Sequence, residues 1–298
     1  YALGYLGGGL LFLINVLMTL QPDWFGLADP AAAVRLSFLT VAVWWGGFSV
    51  FTLLWVPEIS QGPSSKRNSV LEGFQQLAET FRKIRHLRTL FIFLAAYWFY
   101  IDGVGTVIRM AVDYGLSIGF SSSDLITALL LVQFIGFPAA LFFGQLGTRW
   151  DSRKSILVGI GIYLIITVWG TQMRSQFEFY GLAVLIGIAQ GGVQALSRSF
   201  YARLIPKNQT AEYFGFYNTL GKFAAIIGPL LMGTTALVAK GWLLGDNPST
   251  AELESVGKEA ARWSIASISI LFLIGGALLW KVDEEQGRRE ARILERHD

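Results

Sequence analysis

Asp102 is the one acid in the apolar run 89–112, and Lys222 the one base in the run 211–239. Counted at 1.5 Å per helical residue, each lies roughly 17–20 Å from the start of its run. A charge buried that deep in hydrocarbon costs on the order of 3 kcal/mol, which an opposite charge at the same level offsets. The matched depths predict an Asp102–Lys222 ion pair or a shared water network. Burial and a neighbouring ammonium act in opposite senses on a carboxyl group's hold on its proton. Asp102 is therefore a candidate proton carrier, and Lys222 a candidate seat for a solute carboxylate. A static pair that locks two helices is the alternative.

Other polar side chains in the runs are few. Arg109 and Asp113 stand i, i+4 and can pair on one helix face; they are candidates for a gate. Gln190, Gln194 and Arg198 recur at i, i+4, i+8 and draw a polar stripe along one helix. Such a stripe suits a water-lined path or hydrogen bonds between helices. Gln133 and Asn218 fit either use, and Tyr97, Tyr100 and Tyr217 supply aromatic surface for a solute.

The elements that must hold these groups are eight apolar stretches, at 1–20, 35–57, 89–112, 124–146, 155–172, 178–200, 211–239 and 262–281. Each approaches the ~20 residues a helix needs to cross a ~30 Å hydrocarbon layer. The chain of 298 residues is 53% hydrophobic and 15% charged, against about 25% charged in soluble domains. The fold class is therefore all-α, a polytopic membrane protein. Little chain is left for a folded domain outside the lipid.

Seventeen of the 24 Lys and Arg fall in four segments, 58–88, 147–154, 198–207 and 281–298. The positive-inside rule puts these in the cytoplasm. Both ends of this chain then face the cytoplasm, in an inner or plasma membrane. This distribution, not nucleic-acid binding, accounts for the net charge of +3. Trp24, Trp242 and Trp263 at one set of span ends and Trp55, Trp150 and Trp280 at the other fit aromatic belts. The first span starts at Tyr1 with no signal-peptide pattern, as expected of a piece of a longer chain.

Segment 58–88 opens on Gln61-Gly62-Pro63-Ser64-Ser65, a flexible start, and then carries Phe74, Leu77, Ala78, Phe81, Ile84 and Leu87 at helical spacing. An amphipathic helix at the membrane surface is expected, with Arg82, Arg85 and Arg88 among headgroups. Ser249-Thr250-Ala251-Glu252 reads as a capping box that starts a short helix before the last span. Glycines in the first and fourth spans, Gly4, Gly7, Gly8, Gly9 and Gly136, supply small faces for close helix packing.

Gly144-Gln145-Leu146-Gly147-Thr148-Arg149-Trp150-Asp151-Ser152-Arg153-Lys154 resembles the loop motif of the major facilitator superfamily. Thr148 stands where that motif has Asp, and Asp151 near its Gly, a departure from the motif's charge relay. Two further stretches, Tyr97-Trp98-Phe99-Tyr100-Ile101-Asp102-Gly103-Val104 and 194–222, look like the unidentified major facilitator family, related to autophagy-linked vacuolar amino-acid effluxers. The resemblance implies that the eight spans are helices five to twelve of twelve. Residues 1–57 would then close an N-terminal bundle, 58–88 link the halves on the cytoplasmic side, 89–281 form a six-helix C-terminal bundle, and 282–298 make a cytoplasmic tail. It implies alternating access about a central site, with Gly144, Arg149, Asp151 and Arg153 in the gating loop and the first and fourth spans meeting across the halves.

The chain has no cysteine, and its two histidines, His86 and His297, lie in polar segments. With one deep carboxylate, no nucleophile–base pair and no phosphate-binding loop, enzymatic and ATP-driven functions find no support in the residues. No cofactor is expected. The reading is a secondary transporter of a small solute, with an amino acid implied by the resemblance, and with membrane lipid and protons as further partners. A channel-like or lipid-handling protein and a non-transporting scaffold are the alternatives.

Overall fold

A computed structural model of the chain describes residues 2–56, 69–245 and 249–297, with side chains for all of these except 69–72, 148, 296 and 297. The flexible start at 61–65, Lys66, Arg67 and the side chains of Thr148, Arg296 and His297 lie outside the described residues. The described elements are α1 (Ala2–Leu20), α2 (Pro30–Trp55), α3 (Ser69–His86), α4 (Arg88–Ser117), α5 (Ser122–Arg149), α6 (Ser152–Gln172), α7 (Gln176–Leu204), α8 (Thr210–Phe223), α9 (Ile227–Leu243), α10 (Thr250–Trp280) and α11 (Glu284–His297). Two short 3₁₀ turns join them at Pro22–Phe25 and Lys207–Gln209. Eight segments are long and apolar enough to cross a membrane.

Local chemistry sets where these helices begin. The first amides of a helix lack intrahelical acceptors, and short polar side chains supply them. Asp29 accepts from Ala32 N at 2.6 Å ahead of Pro30, and Asp151 accepts from Arg153 N at 2.9 Å. Ser121 with Asp124, and Ser175 with Glu178, close reciprocal capping boxes. The chain leaves α4 through Gly119 at φ 102°, a left-handed conformation that favours glycine.

Two of the expected spans take a different form. The seventh, expected as one helix over 211–239, is interrupted: α8 stops at Phe223 and α9 starts at Ile227. Gly228-Pro229 marks the restart, because a proline in a first turn forfeits no helical hydrogen bond. The eighth runs unbroken for 31 residues from Thr250, so the short helix expected before it is the first part of α10 itself. Its polar opening turns are supported by the Ser249 cap, at 3.2 Å to Glu252 N, and by the Lys258–Glu254 pair at 2.9 Å.

Six spans make one bundle. α7 packs on α5 and α6, while α10 packs on α4, α6 and α9. Glycine permits the closest of these approaches: a Cβ on Gly191 would lie 2.7 Å from the Gly136 carbonyl oxygen, and one on Gly275 2.9 Å from the Tyr100 backbone nitrogen. α1 lies against α5, with Gly8 and Gly9 over Gln133. α2 packs on α1 and leaves most of its length exposed, including Phe38, Trp45 and Leu53.

The basic segments gather at one end of the bundle, hereafter the basic end. The helix expected in the linker forms as α3, yet the side chains it buries, Thr80 and Ile84, belong to the face it packs on α8 and α4. Thr80 bonds Glu212, Lys83 Nζ reaches Gln209 Oε1 at 3.1 Å, and Phe81 stacks on Phe216, while Phe74 stays exposed. The tail is likewise helical and docked. Glu290 in α11 accepts from both the backbone nitrogen and the hydroxyl of Thr89 at 3.1 Å, so it caps the start of α4. Arg203 of α7 joins Glu284 at 3.2 Å to the hydroxyl of Ser152.

Candidate functional site

α4 brings Asp102 to the interruption in the seventh span. The carboxylate is 1% exposed. Its Oδ2 accepts from Gly228 N, in the first turn of α9, at 2.9 Å, and its Oδ1 accepts from Thr106 Oγ1 at 3.4 Å. An acid from one helix thus caps the restart of another. Geometry explains why glycine stands at 228, since a Cβ there would overlap Thr106 Oγ1. When ionised, the carboxylate also faces the positive pole of the α9 dipole.

The expected Asp102–Lys222 ion pair is absent among the described residues. Lys222, in the last turn of α8, is exposed, as is Asn218 one turn earlier. Matching depth does not fix the direction around a helix axis, and a helix N-terminus has taken the place of the ammonium. The predicted Arg109–Asp113 pair is also missing among the described residues: Arg109 turns back so that its Nε donates to Gly105 O at 2.9 Å. Asp113 is exposed at the end of the bundle opposite the basic one.

Between Asp102 and the basic end, α4, α7 and α8 are joined by aromatic contacts. Tyr97 stacks on Tyr217 at 4.2 Å between centroids, Tyr217 stacks on Tyr201 at 4.6 Å, and Tyr100 meets Tyr97 edge-on. Tyr100 is fully buried; its hydroxyl donates to Ser197 Oγ at 2.7 Å, which donates on to Val193 O at 2.6 Å. Tyr201 donates to Tyr213 O at 2.8 Å. These tyrosines are packed into the joint between three helices.

The polar stripe of α7 lies on its less buried side: Gln190 and Gln194 are half-buried and Arg198 is exposed. Arg198 sits 5.0 Å above the Phe214 ring, a cation–π contact. Gln190 Oε1 is buried without a hydrogen-bond partner among the described residues. Gln133 is half-buried where α1 crosses α5.

At the loop motif, Gly144 and Arg149 are exposed, and a Cβ on Gly144 would meet open space. Asp151 caps α6 and lies 3.8 Å from Arg153 Nη2. Arg153 Nη1 donates to Val282 O at 2.7 Å, tying the motif to the chain just past α10. Thr106, Ser197 and Glu290 were not singled out from the sequence. Thr106 stands i+4 from Asp102, and Gly228-Pro229 inside an apolar run was the readable sign of a helix restart.

Residues 1–236 match the family model described as "Vacuole effluxer Atg22 like". The chain is 38% identical over 289 residues to the uncharacterized MFS-type transporter YxiO of Bacillus subtilis, covering 96% of this chain and 62% of that protein. It is 25% identical to autophagy-related protein 22 of Yarrowia lipolytica, over 99% of this chain and 51% of the relative. A third match, autophagy-related protein 22-2 of Aspergillus niger, is 23% identical over 97% of this chain and 50% of the relative. The chain thus spans from about half to 62% of the length of these curated relatives. No solved structure matches it. With the model matched across the first seven spans, and with the eight-span bundle its sequence requires, the chain belongs to the Atg22-like vacuole effluxer family of major facilitator transporters.

Proposed function

We propose that the protein containing this chain is a secondary active transporter that moves a small solute, an amino acid by its relationship to the effluxers, through alternating access. Residues 1–57 supply the last two helices of an N-terminal bundle, 58–88 the linker, 89–281 the C-terminal bundle and 282–298 the tail. The basic end faces the cytoplasm, as the positive-inside rule requires. Lys222 and Asn218 line the solute path beside the break, with Gln190, Gln194 and Gln133 as further polar wall. Tyr97, Tyr100 and Tyr217 brace the hinge behind it.

The observation that carries this reading is the grip of Asp102 on Gly228 N at the interruption of the seventh span. Discontinuous spanning helices are characteristic of substrate and ion sites in secondary transporters. An ionised carboxylate holds α9 against α4; a proton on that carboxyl weakens its acceptance from Gly228 N and loosens α9 from α4. Proton binding and helix movement are thereby joined at one atom pair. Gly144, Arg149, Asp151 and Arg153, with Arg109, Asp113 and Arg198, adjust the two ends as the bundle rocks.

The test is flux of a labelled amino-acid mixture into proteoliposomes bearing the full-length protein, with and without an imposed pH gradient. Flux that responds to the gradient in the wild type and ceases to respond in Asp102→Asn supports the proposal. No flux above empty liposomes, or an unchanged pH response in the variant, contradicts it.

A further inference from the structure

At the end of the bundle opposite the basic one, α4, α9 and α10 enclose a cleft of about 250 Å³. Gly233 and Ala236 on α9 and Gly257 on α10 leave room beside the larger Met110, Tyr114 and Met232, and two charges line it, Asp113 from α4 and Lys240 from α9. Both are exposed. Among the described residues neither has an oppositely charged partner within 4.0 Å, although Lys258 and Arg262 beside them pair with Glu254 and Glu259. Arg109, which the i, i+4 spacing would give to Asp113, is turned to Gly105 O instead. The cleft therefore carries one anion from α4 and one cation from α9, which do not approach within 4.0 Å of one another. Drug-sized pockets run from about 300 to 1,000 Å³, so this one suits a smaller molecule.

We infer that this cleft is a binding site for a small zwitterion, with Lys240 receiving the oxyanion and Asp113 the ammonium. It lies two to three helical turns beyond Asp102 along α4, at roughly 1.5 Å per residue, and so is separate from the break in the seventh span. The site deepens the transporter reading, on which it rests for the passage of its ligand, by placing a staging position at one mouth of the path. Two sources carry the chemistry: a free amino-acid-like solute, and the headgroup of a phosphatidylethanolamine in the adjoining leaflet.

The chain has no cysteine of its own, so Ala236→Cys provides a reporter inside the cleft. In nanodiscs of phosphatidylglycerol, a mixture of the protein amino acids at ten times its half-protecting concentration should slow maleimide labelling of this cysteine about tenfold, following 1 + [L]/Kd. Acetate or ethylamine alone should not. Asp113→Asn and Lys240→Gln should each abolish the protection, and the exchange Asp113→Lys with Lys240→Asp should restore it, because a zwitterion can bind reversed. Slower labelling on adding phosphatidylethanolamine with no free solute would identify the headgroup as the source. The inference is overturned if neither amino acids nor phosphatidylethanolamine slow the labelling, or if protection survives both neutralising variants. Flux of the same protein reconstituted in proteoliposomes separates the two proposals: flux without protection removes the site alone, and protection without flux removes the transporter reading alone.

Discussion

Replacing Asp102 by Ala and by Asn separates a helix-capping carboxylate from a charge needed for a salt bridge. Alanine leaves Gly228 N, 2.9 Å from Oδ2 in the native chain, without an acceptor, and an unsatisfied buried donor costs about 1–3 kcal/mol. The 3.4 Å contact with Thr106 is long and adds little. With the vacated volume, Asp102→Ala should lose about 2–3 kcal/mol. Asparagine keeps an oxygen for Gly228 N. It exchanges a charged acceptor for a neutral one, a loss of about 1 kcal/mol. Relief of the mid-depth charge is common to both variants and cancels between them, so on this comparison Asp102→Asn stays within about 1 kcal/mol of the native protein. The difference of about 2 kcal/mol between the variants is roughly a 30-fold change in the folding equilibrium. Reversible unfolding in mixed micelles, followed by tryptophan fluorescence, measures it. Asn as damaging as Ala, or Ala without effect, would refute the cap.

Three further outcomes follow from the geometry. Lys222→Gln should leave the unfolding midpoint within about 0.5 kcal/mol of native, since Lys222 is exposed and pairs with no carboxylate among the described residues, while flux in proteoliposomes falls. Gly191→Ala should cost about 1–3 kcal/mol, because its Cβ would meet the Gly136 carbonyl oxygen at 2.7 Å and backbone cannot yield as a side chain can, whereas Gly144→Ala, facing open space, should gain up to about 1 kcal/mol of helix propensity; the same micelle titration ranks them. Glu290→Ala removes the cap on Thr89 N and should cost about 1–2 kcal/mol, seen as faster amide exchange across 284–297 while exchange in the middle of α10 is unchanged.

Apolar length and basic segments are read from local composition, and the eight spans were legible because hydrocarbon thickness demands that composition directly. Direction around a helix axis is not local, which is why Asp102 and Lys222 matched in depth yet do not meet. Hydropathy also passes over 224–226, since the interruption is as apolar as the helices beside it. Charged opening turns hid the true start of α10, where Glu252, Glu254, Lys258 and Glu259 read as a segment outside the span although Ser249 had announced the helix. Gly287, Ala291 and Leu294 in the tail recur at i, i+4, i+7, a docking stripe overshadowed by the surrounding charges; Ala291 is buried in the structure. The i, i+4 spacing of Arg109 and Asp113 permits a pair without requiring one, and the Gly105 carbonyl competed for the guanidinium.

The central claim is that one solute path opens by turns to the two ends of the bundle. Single cysteines at Asn218, before the break in the seventh span, and at Gly233, beyond it, report on those ends in a chain that has none of its own. Maleimide labelling rates of the two, in the full-length protein in proteoliposomes with and without a saturating amino-acid mixture, measure access at each. Alternating access predicts that the solute raises one rate as it lowers the other. Both rates rising together, or neither moving while flux proceeds, would contradict it.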